Sequence, residues 1–161
     1  MTIDQYNSCV DELSDNLYRF LLKNIKDEAV ASDIVQDSFE KLWIRVNDIS
    51  YEKVKSYLFT IGYHAMIDII RREKRMTDFE DINPNHYVQP EVNIDLNKIL
   101  HLALDRLPEI QRSVILLRDY EGYSYEEIGE ITGLTESQVK VYIFRARTYL
   151  KNFIGSIEVI L

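Results

Sequence analysis

The chain has 161 residues, 46% of them hydrophobic, and a formal net charge of −8. That is enough for one large or two small packed domains, and too apolar for disorder throughout. A single cysteine, Cys9, excludes an intramolecular disulfide and argues against a cysteine-based metal cluster, in keeping with a reducing compartment. The N-terminus, MTIDQYNSCVDELSD, has no basic flank followed by an apolar run, and no stretch approaches bilayer-spanning length, so the expected location is cytoplasmic.

Hydrophobic periodicity predicts a first helical domain over residues 1–75, with helices from about Asp11 to Ile25, Asp27 to Val46 and Tyr51 to Lys74. In the second of these, Val30, Ile34 and Leu42 form a buried stripe, while Asp33, Gln36, Asp37 and Glu40 make an acidic, hydrogen-bonding face. Such a face is either an ordinary solvated surface or a receptor for an arginine-rich helix. On the third helix Val54, Leu58, Ile61 and Ala65 are expected inward, with Tyr57, His64, Asp68, Arg71 and Arg75 on a neighbouring stripe. Aromatic and imidazole rings among guanidinium groups suit unstacked bases, with cations on the phosphates; the plainer alternative is core packing and a partly buried histidine.

Residues 76–93 hold Pro84 and Pro90 among polar and acidic side chains and read as a flexible linker. A second helical domain, residues 94–161, follows. It breaks at Pro108, continues as a helix from Glu109 to Asp119, and ends in a helix-turn-helix. Two capping boxes mark that motif: Ser124 with Glu127, and Thr135 with Gln138. Gly133 between them can take the positive φ that ends the first helix, and Leu134 plugs the corner. Val139, Ile143, Ala146 and Leu150 share one buried stripe of the last helix. Ser137, Lys140, Val141, Phe144, Arg145, Thr148 and Lys151 then face outward, with cations flanking two apolar groups. In a major groove those cations meet phosphates or guanine edges and the apolar groups meet thymine methyls. The alternative is a three-helix packing unit with a solvated outer face.

An acidic chain is a poor match to DNA until the charges are mapped. Residues 138–151 carry Lys140, Arg145, Arg147 and Lys151 and no acid, and residues 71–75 carry Arg71, Arg72, Lys74 and Arg75 against Glu73. Between these islands, Met76 to Leu107 holds two cations, Lys98 and Arg106, against six carboxylates. Weak DNA binding alone and dependence on a partner are the expectation. The acidity of the linker could also hold the two domains together in the free chain and screen the basic islands.

Taken together, DEAVASDIVQDSFEKLW, VKSYLFTIGYHAMIDIIRREKR and LPEIQRSVILLRDYEGYSYEEIGEITGL…VKVYIFRARTYL, in that order, resemble the extracytoplasmic-function group of sigma-70-family factors over nearly the whole chain. These are bacterial subunits that direct RNA polymerase to promoters. The resemblance implies an all-α protein of two small helical domains. In it Asp33, Gln36, Asp37, Phe39 and Glu40 dock on the coiled coil of the polymerase β′ subunit, within a core enzyme whose β subunit is also a partner. It implies minus-ten recognition and melting by Ile49, Tyr57, His64, Arg71, Arg72 and Arg75. His64 stands where the family has an asparagine lining a pocket for a flipped base. Ile49 stands in the variable loop Asn47 to Lys53 where an aromatic often sits, Tyr57 replaces a common tryptophan, and Gly62 a common alanine. Upstream, at the minus-thirty-five element, it implies contacts from Arg118, Ser137, Gln138, Lys140, Val141, Phe144, Arg145 and Arg147. Core RNA polymerase, promoter DNA and an anti-sigma factor are the implied partners, with no cofactor, no small-molecule substrate and no catalysis.

Two other readings share some of these features. A stand-alone helix-turn-helix regulator would bind DNA without polymerase. An enzyme with a metal on His64, His86 and His101 would need ligand spacing, and the H-x-x-x-H pattern is missing.

Overall fold

The computed structural model describes residues 1–77 and 95–160; residues 78–93 of the expected linker, with Pro84, Pro90 and His86, lie outside them. Among the described residues are seven α-helices, one 3-10 turn, one π-helical turn and no strand. The first helix, α1, runs Ile3–Ile25, eight residues earlier than periodicity predicts. Its start is set by a capping box in which Thr2 Oγ1 accepts from Gln5 N–H and the Gln5 side chain accepts from Thr2 N–H. Lys26 in the left-handed region ends it, and Asp27 caps α2, Glu28–Ile44. A 3-10 turn, Tyr51–Lys53, leads into α3, Val54–Thr77.

These three helices bury Leu17, Phe20 and Leu21 against Ile34, Phe39 and Leu42 and against Val54, Leu58 and Met66. Fully burying such a side chain is worth about 1.5–3 kcal/mol relative to exposure. The expected inward stripe of α3 is corrected in part. Val54 and Leu58 are buried, but Ile61 and Ala65 are only half-buried, and Phe59, Tyr63 and Met66 take the deep positions. The reason is tertiary: α3 packs on α1 and α2 with one side and on the second module with another.

The second module comprises α4 (Leu96–Arg106), α5 (Glu109–Ile115), a π-helical turn (Leu116–Tyr120), α6 (Tyr125–Thr132) and α7 (Glu136–Ile160). Leu104, Val114, Leu117, Ile128, Ile131, Val139, Ile143 and Ala146 form its core. The two modules touch through α1 on α5 and α3 on α6. Phe20, Phe59 and Tyr123 make a chain of rings with centroids 5.6 and 5.4 Å apart. Beside it the buried Arg112 donates from Nε to Asn24 Oδ1 at 2.9 Å.

Candidate nucleic-acid and polymerase interfaces

The helix-turn-helix folds as its sequence predicts because each local signal is satisfied locally. Ser124 Oγ accepts from Glu127 N–H and the Glu127 carboxylate from Ser124 N–H; Thr135 and Gln138 repeat the exchange. Gly133 has φ 79°, a value costly for any residue with a Cβ. The corner also needs a second glycine, which the cap spacing does not reveal. A Cβ on Gly129 would stand 2.8 Å from the Leu134 carbonyl oxygen, so the corner closes only with glycine there.

Val139, Ile143 and Ala146 are buried and Leu150 half-buried, leaving Ser137, Lys140, Val141, Phe144, Arg145, Thr148 and Lys151 exposed together. Phe144 is 71% exposed and Val141 46%, so neither is spent on the core. Lys140 pairs with Glu136 at 3.4 Å across one turn, and Arg145 lies over the Tyr142 ring, both in solvent. Such exposed interactions contribute at most about 1 kcal/mol and yield readily to phosphate. Three residues expected at the DNA are already engaged within the module. Arg147 grips Asp119 at 2.6 Å, Gln138 serves in its capping box, and the half-buried Arg118 donates to the Tyr123 carbonyl at 2.8 Å with its guanidinium over Tyr125.

In the first module, the loop before α3 and the first turns of α3 frame an open cleft of about 630 Å³. Ile49 and Tyr57 meet there with Ser56 and Thr60, two residues sequence reasoning missed. Thr60 lies three residues after Tyr57, the spacing that puts it on the same helix face; its hydroxyl donates to the Ser56 carbonyl at 2.7 Å. His64 is exposed one turn further on, edge-on to Tyr63, and is not part of the cleft wall. Arg71, Arg72 and Arg75 are exposed along the end of α3.

On α2, Asp33, Gln36, Asp37 and Glu40 are exposed on one face, as the periodicity predicts. Phe39 corrects the expected set. It is buried, its ring meets Tyr6 edge-on and its carbonyl accepts from the Tyr6 hydroxyl at 3.1 Å, so its side chain supports the acidic face from behind. Trp43 and Ile44, exposed at the next helical repeat, extend that face with apolar surface. Continuing the three-and-four spacing from Asp33 through Glu40 would have found them.

Among the described residues, no three His, Cys, Asp or Glu side chains converge as a metal site, and no helix is long and apolar enough to cross a membrane.

Fold and faces together define a two-module helical DNA-binding protein. Residues 9–76 match the family described as sigma-70 region 2, and residues 97–150 that described as sigma-70, region 4. The chain is 31% identical to the RNA polymerase sigma factor SigV of Bacillus subtilis (strain 168), across 86% of this chain and 84% of that protein. It is 29% identical to the ECF RNA polymerase sigma factor SigM of the same organism, across 94% of each. Its fold is shared with the sigma factor RpoE of Bartonella quintana, solved with the anti-sigma factor NepR, at a TM-score of 0.76 and 23% identity, across 95% of this chain and 98% of that one. The chain belongs to the sigma-70 family of RNA polymerase sigma factors, in its extracytoplasmic-function group.

Proposed function

We propose that the acidic face of α2 docks the chain on the coiled coil of the polymerase β′ subunit, that α3 and its preceding loop hold the melted minus-ten strand, and that α7 reads the upstream duplex. The observation that carries this reading is the outer face of α7, where Lys140 and Arg145 flank exposed Val141 and Phe144 with nothing in the described fold to cover them. Arginine pairing bidentately with guanine and an apolar contact with a thymine methyl are direct readout, worth about 1–3 kcal/mol per good pair. In the cleft, stacking on Tyr57 at roughly 1–3 kcal/mol per base offsets an unpairing cost of a few kcal/mol. The chain then works through binding alone, in the cytoplasm, with catalysis left to the polymerase. An anti-sigma factor fits as a further partner, since a protein of this fold is found with one. A stand-alone regulator is not favoured, because both modules match polymerase subunits.

In vitro transcription with bacterial core enzyme on a random-promoter library tests the reading. Initiation from a shared motif, dependent on the chain, is expected; no initiation above core enzyme alone contradicts it.

A further inference from the structure

Away from the surfaces assigned to DNA and polymerase, α1 meets α4 and the π-helical turn around a small cavity of about 250 Å³. Pockets that take drug-sized ligands run to about 300–1,000 Å³, so this one suits a smaller molecule. Its floor is apolar, with Phe20 and Leu116 each 3% exposed. Tyr120, 56% exposed, brings to the cavity a ring that the described fold leaves largely uncovered.

The rim carries both signs of charge. Arg19 and Lys23 stand one turn apart on α1 and both line the cavity. Lys23 reaches across to His101 of α4, and since an ammonium can only donate, the imidazole accepts. Burial and the neighbouring Lys23 lower the pKa of His101, in keeping with that neutral role. The remaining N–H groups of the ammonium are left for a ligand. Arg19 meets Asp15 at 3.5 Å and the Asn16 side chain at 2.6 Å in solvent, contacts that yield readily to another carboxylate.

Glu121 supplies the anion of the rim. Burial raises its carboxyl, against the pull of Lys55 and Arg19. Lys55 bonds the Glu121 backbone carbonyl at 3.0 Å, a contact that does not use the carboxylate.

Two cations, one carboxylate and an apolar floor in one small cavity match a particular class of molecule. A free α-amino acid carries carboxylate and ammonium on the same carbon, with its side chain directed away from both. An organic acid would leave Glu121 without a partner, an amine would leave Arg19 and Lys23 without one, and a part-buried charge left unpaired is costly. Phe20, Leu116 and Tyr120 favour an apolar side chain of the size of leucine or phenylalanine. A polar side chain would lose its water there without gaining a partner.

We propose that this cavity binds a free apolar α-amino acid, with its carboxylate on Arg19 and Lys23, its ammonium on Glu121 and its side chain against Phe20, Leu116 and Tyr120. His101 acts on the ligand through Lys23, whose ammonium it positions at the rim.

Calorimetric titration of the full chain with L-leucine, L-phenylalanine, L-glutamate, isocaproate (leucine without its ammonium) and isoamylamine (leucine without its carboxylate) tests the site. Leucine and phenylalanine are expected to bind and to raise the thermal midpoint. Each fragment is expected to bind at least about tenfold more weakly, the factor of one charge-assisted contact, and glutamate not detectably. Glu121→Gln, which keeps the backbone contact with Lys55, is expected to weaken leucine about tenfold and leave isocaproate unchanged. Lys23→Met should weaken leucine and isocaproate alike, and so should Tyr120→Ala. The fragment series on wild type decides the matter even where a variant fails to fold. Equal affinity for leucine and isocaproate, leucine binding untouched by Glu121→Gln and Lys23→Met, or no binding of either amino acid at millimolar concentration overturns the proposal. The sigma-factor reading stands or falls separately, on core-dependent transcription.

Discussion

The two regions proposed to meet DNA differ in how they are presented. The outer face of α7 projects into solvent with Phe144 and Val141 bare, whereas the cleft around Tyr57 is walled on one side by glutamates of the other module. The first is complete in one helix and available in the compact chain. The second is assembled from a loop and a helix of one module and bordered by Glu127 and Glu130 of the other. The proposed duplex-reading face is therefore local to one helix, whereas the proposed strand cleft draws on several elements.

The difference between the two regions vanishes if the chain never reaches polymerase. Asp37→Arg on the exposed face of α2 is expected to cost several kcal/mol of polymerase affinity, because a cation would face the partner's cations. Both DNA surfaces would then fall silent together in core-dependent transcription. Unchanged co-purification with core enzyme would refute that assignment.

Arg145→Ala should separate the two regions, reducing discrimination at the upstream element by about 1–3 kcal/mol for each bidentate pairing it removes. Strand binding should be untouched. Equal losses on matched and scrambled upstream sequences would contradict direct reading.

Within the cleft, Tyr57→Ala should weaken capture of a melted strand by the holoenzyme by about 1–3 kcal/mol, and His64→Ala by less, at or below ~1 kcal/mol, because His64 stands outside the cleft wall. Competition with single-stranded oligonucleotides would measure both. A larger effect at His64 would move the base pocket a turn along α3.

Glu109 gives a smaller effect still. Burial raises its carboxyl above the ordinary range, outweighing the opposing Ser113 hydrogen bond and the nearby Arg112 and Arg71. A raised folded value means that this group's contribution to stability is full below the unfolded carboxylate value, about 4.3, and is lost as pH rises through the folded one. The thermal midpoint of wild type should therefore decline relative to Glu109→Gln as pH is raised from that value toward neutrality. A difference that grows in wild type's favour would reverse the sign.

The same division explains what the sequence disclosed. The caps at Ser124 and Thr135, the left-handed Gly133 and the exposed face of α7 are all decided within a few residues, so spacing reveals them. The early start of α1 is legible in the Thr2–Gln5 box and in Tyr6, Val10, Leu13 and Leu17, which follow at three- and four-residue spacing and pack on the core. The depth of Phe59 and Tyr63 was not legible, because α6 and the helices around it lie far away in sequence and bury a side of α3 that an isolated helix would leave wet. Phe39 was misplaced because resemblance assigns a position to a surface without assigning its side chain a direction. The Asn24–Arg112 bond joins residues 88 apart, with polar side chains that periodicity counts as exposed.

Whether one chain presents α7 to upstream duplex and α3 to melted strand is decided by photo-crosslinking from Phe144 and Tyr57, replaced in turn by a photoreactive phenylalanine, in a holoenzyme open complex. Adducts are expected on upstream duplex from the first position and on an unpaired minus-ten base from the second, both dependent on core enzyme for a defined register. Adducts from both positions on the same stretch of duplex, or the same pattern without polymerase, would contradict it.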